Sequence, residues 1–110
     1  MNEAYPEILS QYFSAVERRD LEVLDTCFTE DATLTDDGRT YHGRAEIRGW
    51  RMAAGPAYEY ILEVLDWEHD ADGTYVVDTN VASTVTGEPV ELKFRFTLQD
   101  RLISEIRIAP

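Results

Sequence analysis

The sequence predicts an α+β fold, with helices in its first half packed on one face of a bent sheet of long strands supplied by its second half. Three observations carry that prediction. Apolar residues recur at helical spacing from Tyr5 to Val16. The period changes to two from Tyr58 onward. Val90, Leu92, Phe94, Phe96 and Leu98 alternate with Glu91, Lys93, Arg95 and Thr97, the signature of a strand with one dry and one wet face.

The first helix is read from Tyr5, Ile8, Leu9, Tyr12, Phe13 and Val16, with Glu3, Glu7, Gln11 and Glu17 on its other faces. Asp20 can cap a second, shorter helix, with Glu22 and Asp25 near its start and Leu21, Leu24 and Phe28 on its buried side. After Glu30-Asp31 the chain turns extended through Ala32–Thr35. Asp37-Gly38 then supplies a tight turn into Arg39-Thr40-Tyr41, so a short hairpin is expected. Gly43 permits the turn into a third helix from Arg44 to about Ala54, with Ile47 and Trp50 facing inward and Gly55-Pro56 ending it.

A long strand then begins at Tyr58 and ends at the acidic turn Asp70–Gly73, and its partner runs from Thr74 to about Thr84. Both faces of the first carry apolar groups, Tyr58, Tyr60, Leu62 and Val64 against Ile61, Leu65 and Trp67, so its inner face stays open. Gly87-Glu88-Pro89 leads into the alternating strand. In the last strand, Leu102 to Ala109, Ile103, Ile106 and Ile108 fall out of strict alternation, which predicts a bulge near Ser104.

At 110 residues without a linker-like tract, the chain (1–110) is read as a single domain able to bury one core. Its 22 acids against 10 Lys and Arg give a formal net charge of -12, and no basic run interrupts them. Such a surface repels phosphate backbones and anionic lipids, so neither nucleic acid nor a membrane is expected as a partner. Cys27 stands alone, so no disulfide or thiolate metal site can form within one chain, and it is read as small core filler. The N-terminus has neither a basic nor an apolar targeting region, which makes the cytoplasm the expected compartment.

Tyr12-Phe13 followed by Asp20-Leu21, the stretch Phe28-Thr29-Glu30-Asp31-Ala32-Thr33-Leu34, and Tyr41-His42-Gly43-Arg44-Ala45-Glu46-Ile47 carry a resemblance in their order and spacing. The chain resembles the SnoaL-like group of the nuclear transport factor 2-like superfamily over nearly its whole length. The resemblance implies a cone: a curved mixed sheet wrapped around three N-terminal helices, an apolar pocket at the wide end, and homodimers as a frequent assembly. Among ketosteroid isomerases of that superfamily a general base comes from the strand after the second helix, where Asp36 is the matching residue. A tyrosine oxyanion donor comes from the first helix, where Tyr12 matches. The third part of that machinery, a protonated acid, is replaced here by Phe96.

Those residue types suit proton transfer beside a carbonyl, in which a carboxylate takes the proton and a phenol donates to the enolate oxygen that develops. The expected substrate-binding residues are Phe13, Val16, Phe28, Trp50, Thr79, Val81, Phe94, Phe96 and Ile106, with Thr79 or Ser83 as substitutes for the missing donor. Isomerase, cyclase and dehydratase chemistry all fit, and none requires an organic cofactor or a metal. The expected partner is a small, largely apolar molecule. A non-catalytic ligand-binding or dimerisation module is the alternative, in which Asp36 merely bonds near its Asp37-Gly38 turn and Tyr12 is a core tyrosine.

His42 and His69 lack metal-chelating spacing and are read as solvent-facing residues at turns or strand ends. Asp66, Glu68, Asp70 and Asp72 form a solvated edge. Arg44 and Glu46 are given structural roles at the start of the third helix. A homodimer through the outer sheet face would need water and salt bridges around Asp78, Asn80, Glu91, Lys93 and Arg95.

Overall fold

A computed structural model of the chain describes residues 5–53, 60–83 and 89–110. The chain order is α1 (Glu7–Arg18), α2 (Leu21–Thr26), β1 (Phe28–Asp36), β2 (Arg39–His42), α3 (Gly43–Ala53), β3 (Tyr60–His69), β4 (Tyr75–Ser83), β5 (Val90–Gln99) and β6 (Leu102–Ala109). The strands form one six-stranded sheet in the order β2-β1-β6-β5-β4-β3. Among the described residues only the β1–β6 pair is parallel, so the sheet is mixed and the α+β expectation is met. The predicted end of the third helix at Gly55-Pro56, the strand start at Tyr58, and the Thr84 and Gly87-Glu88 positions lie outside the described residues.

Local chemistry explains the helical half. Arg19 takes a left-handed conformation (φ 56°) and its N–H closes the end of α1 on the Ala15 and Val16 carbonyls. Asp20 then caps α2, its Oδ1 accepting from the Val23 N–H at 3.2 Å. Asp37 (φ 52°) and Gly38 (φ 79°) make the tight β1–β2 turn, a conformation that favours Asp-Gly. One boundary differs from the sequence reading. Phe28 belongs to β1, not to the buried side of α2, because the Cys27 carbonyl already accepts from the Ile103 N–H at 2.8 Å and Phe28 pairs with Ile103 of β6.

Between Phe28 and Thr33 the β1–β6 register is irregular, and the structural roles expected of Arg44 and Glu46 are visible there. Gly43 turns the chain at φ 81°, and Glu46 Oε1 accepts from the His42 N–H at 3.0 Å. The Arg44 guanidinium donates through Nε (3.1 Å) and Nη2 (2.6 Å) to the Phe28 carbonyl. A planar two-toothed donor thus ties the first turn of α3 to the irregular stretch of β1.

Two bulges shape the sheet. Thr97 pairs with Glu105 and Leu98 with Ile103, which leaves Ser104 as the extra residue on β6, as its broken alternation predicts. The Ser104 hydroxyl donates to the Thr97 carbonyl at 3.1 Å. On β3, Val64 pairs with Thr79 and Asp66 with Asp78, so Leu65 is extra. This bulge answers the open question about β3. Leu62 faces inward before it and Trp67 after it, because one inserted residue exchanges the two faces of a period-two strand.

The core lies between α1 and the inner face of the sheet. Tyr12 is 1 % exposed and stands edge-on to Phe13, Phe28, Phe94 and Phe96, with ring centroids 5.1 to 6.4 Å apart. Cys27 is fully buried, as expected of core filler, and burial pushes its thiol up to about 11. His42 ends β2 and His69 ends β3, both exposed, and His69 stacks on Tyr75 at 4.1 Å.

Candidate functional site

The register of the sheet sets which inward side chains fall side by side. Asp36 pairs with Ile108, and Ile108 pairs with Phe94, so these three form a row across β1, β6 and β5. Leu34, Ile106 and Phe96 form the next row, two residues nearer the packed end. Beyond the first row lies a cavity of about 150 Å³ lined by Asp36, Ile108 and Phe94. Tyr12 and Val16, one turn apart on α1, form its second wall, and Leu62, Val81 and Leu92 form its third. Trp50 and Arg51, in the last turn of α3, complete it.

Asp36 is half-buried, and its Oδ2 accepts a hydrogen bond from the Trp50 indole N–H at 3.0 Å. The bond joins the last residue of β1 to α3, and the carboxylate is anchored through a side chain that also forms cavity wall. Tyr12 is held as a neutral phenol well above its ordinary range, chiefly by burial. The Arg51 charge opposes that shift and the Asp36 charge adds to it, so both ionic groups act on the tyrosine. A phenol that stays protonated can donate a hydrogen bond across the working pH range.

Of the residues expected from the sequence, Asp36, Tyr12, Val16, Trp50, Val81 and Phe94 come together around the cavity. Five do not line it. Phe96 and Ile106, both fully buried, occupy the adjoining row and fill the core behind it. Phe28 pairs with Ile103, farther still along β1. Phe13 follows Tyr12 on α1 and so points about 100° away from it, packing edge-on against Phe94 and Phe96. Thr79 is fully buried, and its hydroxyl is already donated to the Leu92 carbonyl at 2.9 Å, so it is not a spare donor. The Ser83 hydroxyl lies outside the described side chains.

Sequence reasoning missed Arg51, Leu62, Leu92 and Ile108 as cavity residues. Arg51 follows Trp50 in the last turn of a helix, where a basic residue is ordinarily explained by the helix dipole. Ile108 could have been found from its place opposite Asp36, once a parallel β1–β6 pair was assumed. Among the described residues, no group of three or more His, Cys, Asp or Glu side chains is arranged to hold a metal ion. No helix among them is long and apolar enough to cross a membrane.

Comparison with known proteins agrees with this architecture. The family model for the SnoaL-like domain matches residues 9–106. A candidate polyketide cyclase from Sinorhizobium meliloti is similar at 32 % identity, over 96 % of this chain and 95 % of that one, with a TM-score of 0.87. A Catenulispora acidiphila protein with a ketosteroid isomerase-like fold, solved in complex with trimethylamine, is similar at 18 % identity over 97 % and 87 % of the two chains, with a TM-score of 0.83. The Δ5-3-ketosteroid isomerase from a Mycobacterium species shares 14 % identity over 94 % and 90 %, with a TM-score of 0.80, a likeness of fold alone. No curated protein matches.

Proposed function

Because the chain belongs to the SnoaL-like domain family, we propose that it binds a small, largely apolar carbonyl compound in its cavity and moves a proton at the carbon beside that carbonyl. Asp36 acts as the general base and Tyr12 as the oxyanion donor. The observation that carries this reading is that the carboxylate and the neutral phenol line one apolar cavity. Trp50 holds Oδ2 of the base, leaving Oδ1 for the proton. Isomerisation, cyclisation and dehydration share that first step, and none of them requires more than a positioned base and a donor.

The cavity of roughly 150 Å³ has room for a guest about as large as benzene, so a single-ring compound is a suitable probe. A second reading, a binding protein without catalysis, is favoured by one observation. Phe96, at the position where related isomerases carry an acid, is fully buried in the row behind the cavity, so one oxyanion donor is absent. The reading extends to a homodimer through the outer sheet face, where Leu65 is 49 % exposed beside Asp78 and Lys93.

The test is deuterium exchange at the carbons beside the carbonyl of cyclohexanone, followed by NMR. The wild-type protein is expected to accelerate exchange, and Asp36→Asn to lose about a hundredfold or more of that acceleration. Indistinguishable rates for the two proteins would leave the binding-only reading.

A further inference from the structure

Arg51 is a cation in the wall of a cavity otherwise lined mostly by apolar side chains, on a protein whose net charge is -12. Its guanidinium carbon lies 5.8 Å from the centre of the Trp50 ring, and Trp50 in turn holds Asp36. Cavity, anion and cation therefore meet at one helix end. A guanidinium has five N–H donors in a planar fork, so contact with a guest oxygen is compatible with its keeping a protein neighbour.

We propose that Arg51 is the fixed counter-charge of the cavity, and that the ligands it favours are single-ring carbon acids, 1,3-dicarbonyls above all, whose enolate oxygen pairs with it once Asp36 has been protonated. This rests on the proton-transfer reading above. Before transfer the cavity holds the Asp36 anion, a neutral ketone and the Arg51 cation. In the step the C–H bond breaks, its proton bonds to Asp36 Oδ1, and the electron pair passes to the carbonyl oxygen. Afterwards the cavity holds a neutral acid, an enolate and the same cation. The step leaves the local charge unchanged, and the negative charge has only changed its seat. Unlike charges attract more strongly beside half-buried groups than in bulk water, which is why a stationary cation assists where a second neutral donor is absent. Acidic carbon acids profit most, since their enolates persist long enough to be bound rather than merely passed through.

The test uses two probes of one ring size: cyclohexane-1,3-dione, an enolate anion at neutral pH, and cyclohexanone, which is neutral. Their affinities are measured by calorimetry on wild type, Asp36→Asn, and Asp36→Asn carrying either Arg51→Gln or Arg51→Lys. Asparagine stands in for the protonated base. The enolate is expected to bind Asp36→Asn about tenfold or more tighter than wild type, while cyclohexanone changes less than about twofold. Adding Arg51→Gln removes the enolate's advantage, and Arg51→Lys, which keeps the charge, retains most of it. A purely structural Arg51 would move both probes together. Equal enolate affinity in wild type and Asp36→Asn, or enolate binding indifferent to Arg51→Gln while cyclohexanone still binds, overturns the counter-charge and leaves the proposed function standing. Failure of both probes to bind any variant removes the cavity as a ligand site, and the counter-charge with it.

Discussion

At one end of the space beneath α1, Phe13, Phe28 and Phe96 close edge-on around Tyr12; one row along the sheet, Phe94 and Ile108 stand beside Asp36 over an empty volume. The same helix and the same three strands, β1, β6 and β5, build both ends. Tyr12 belongs to each, its ring in the aromatic cluster and its residue in the cavity wall. Two residues along β5 separate a side chain in the packed core, Phe96, from one that lines the cavity, Phe94. Packed core and cavity are therefore divided along the strand, not between elements, and substitutions in neighbouring rows should separate stability from the proposed chemistry.

The largest separation is expected from Phe96→Ala. A fully buried aromatic residue removed from a filled region costs about 3–5 kcal/mol of stability, measurable by urea or thermal unfolding. A loss below about 1 kcal/mol would mean that the packed end is looser than its ring contacts indicate. Trp50→Phe should act at the other end. It removes the 3.0 Å bond to Asp36 while keeping an aromatic wall, so about 1 kcal/mol of stability and a larger share of the exchange rate should go. If rate and stability fell in step, the indole would be packing and nothing more.

The smallest effect is a pH dependence, and it falls on the residue shared by both ends. Tyr12 ionises near 10 in an unfolded chain and higher when folded, because burial disfavours the phenolate. Between those values the unfolded state gives up a proton that the folded state keeps. The stability linked to it is complete below about pH 10 and is lost as pH rises through the folded value. Tyr5, pushed up to about 12 by burial, adds to the same slope. Urea midpoints at rising alkaline pH should fall for wild type and fall less steeply for Tyr12→Phe. Parallel slopes would mean that Tyr12 ionises as readily folded as unfolded.

Much of this was legible in the residues. The caps at Asp20, the Asp37-Gly38 turn and the bulge at Ser104 each follow from local chemistry with few competitors, and the structure carries all three. Tyr12 and Asp36 were legible as neighbours through a family resemblance. The inner face of β3 was not, for a physical reason: the Leu65 bulge exchanges the faces midway, so Leu62 and Trp67 face inward from opposite phases of one strand. Phe28 was misplaced into α2 because its helical spacing from Leu24 imitates the true end of the helix at Thr26. Alternation shows which side chains point inward but not how far along the sheet the core stops being full. Phe96 and Phe94 are alike in sequence terms, and only the register tells them apart. Arg51 was hidden by an ordinary explanation, a basic residue at a helix end.

The Arg44 fork has a last consequence. β1 and α3 run from a common tie at the Phe28 carbonyl, gripped by Arg44, to a second tie where Asp36 meets Trp50. Strand and helix are thus two rails with a rung at each end, and the spacing of the upper rung is dictated by bond lengths and helical pitch. Changes in loops that touch neither tie should therefore leave the carboxylate at its post.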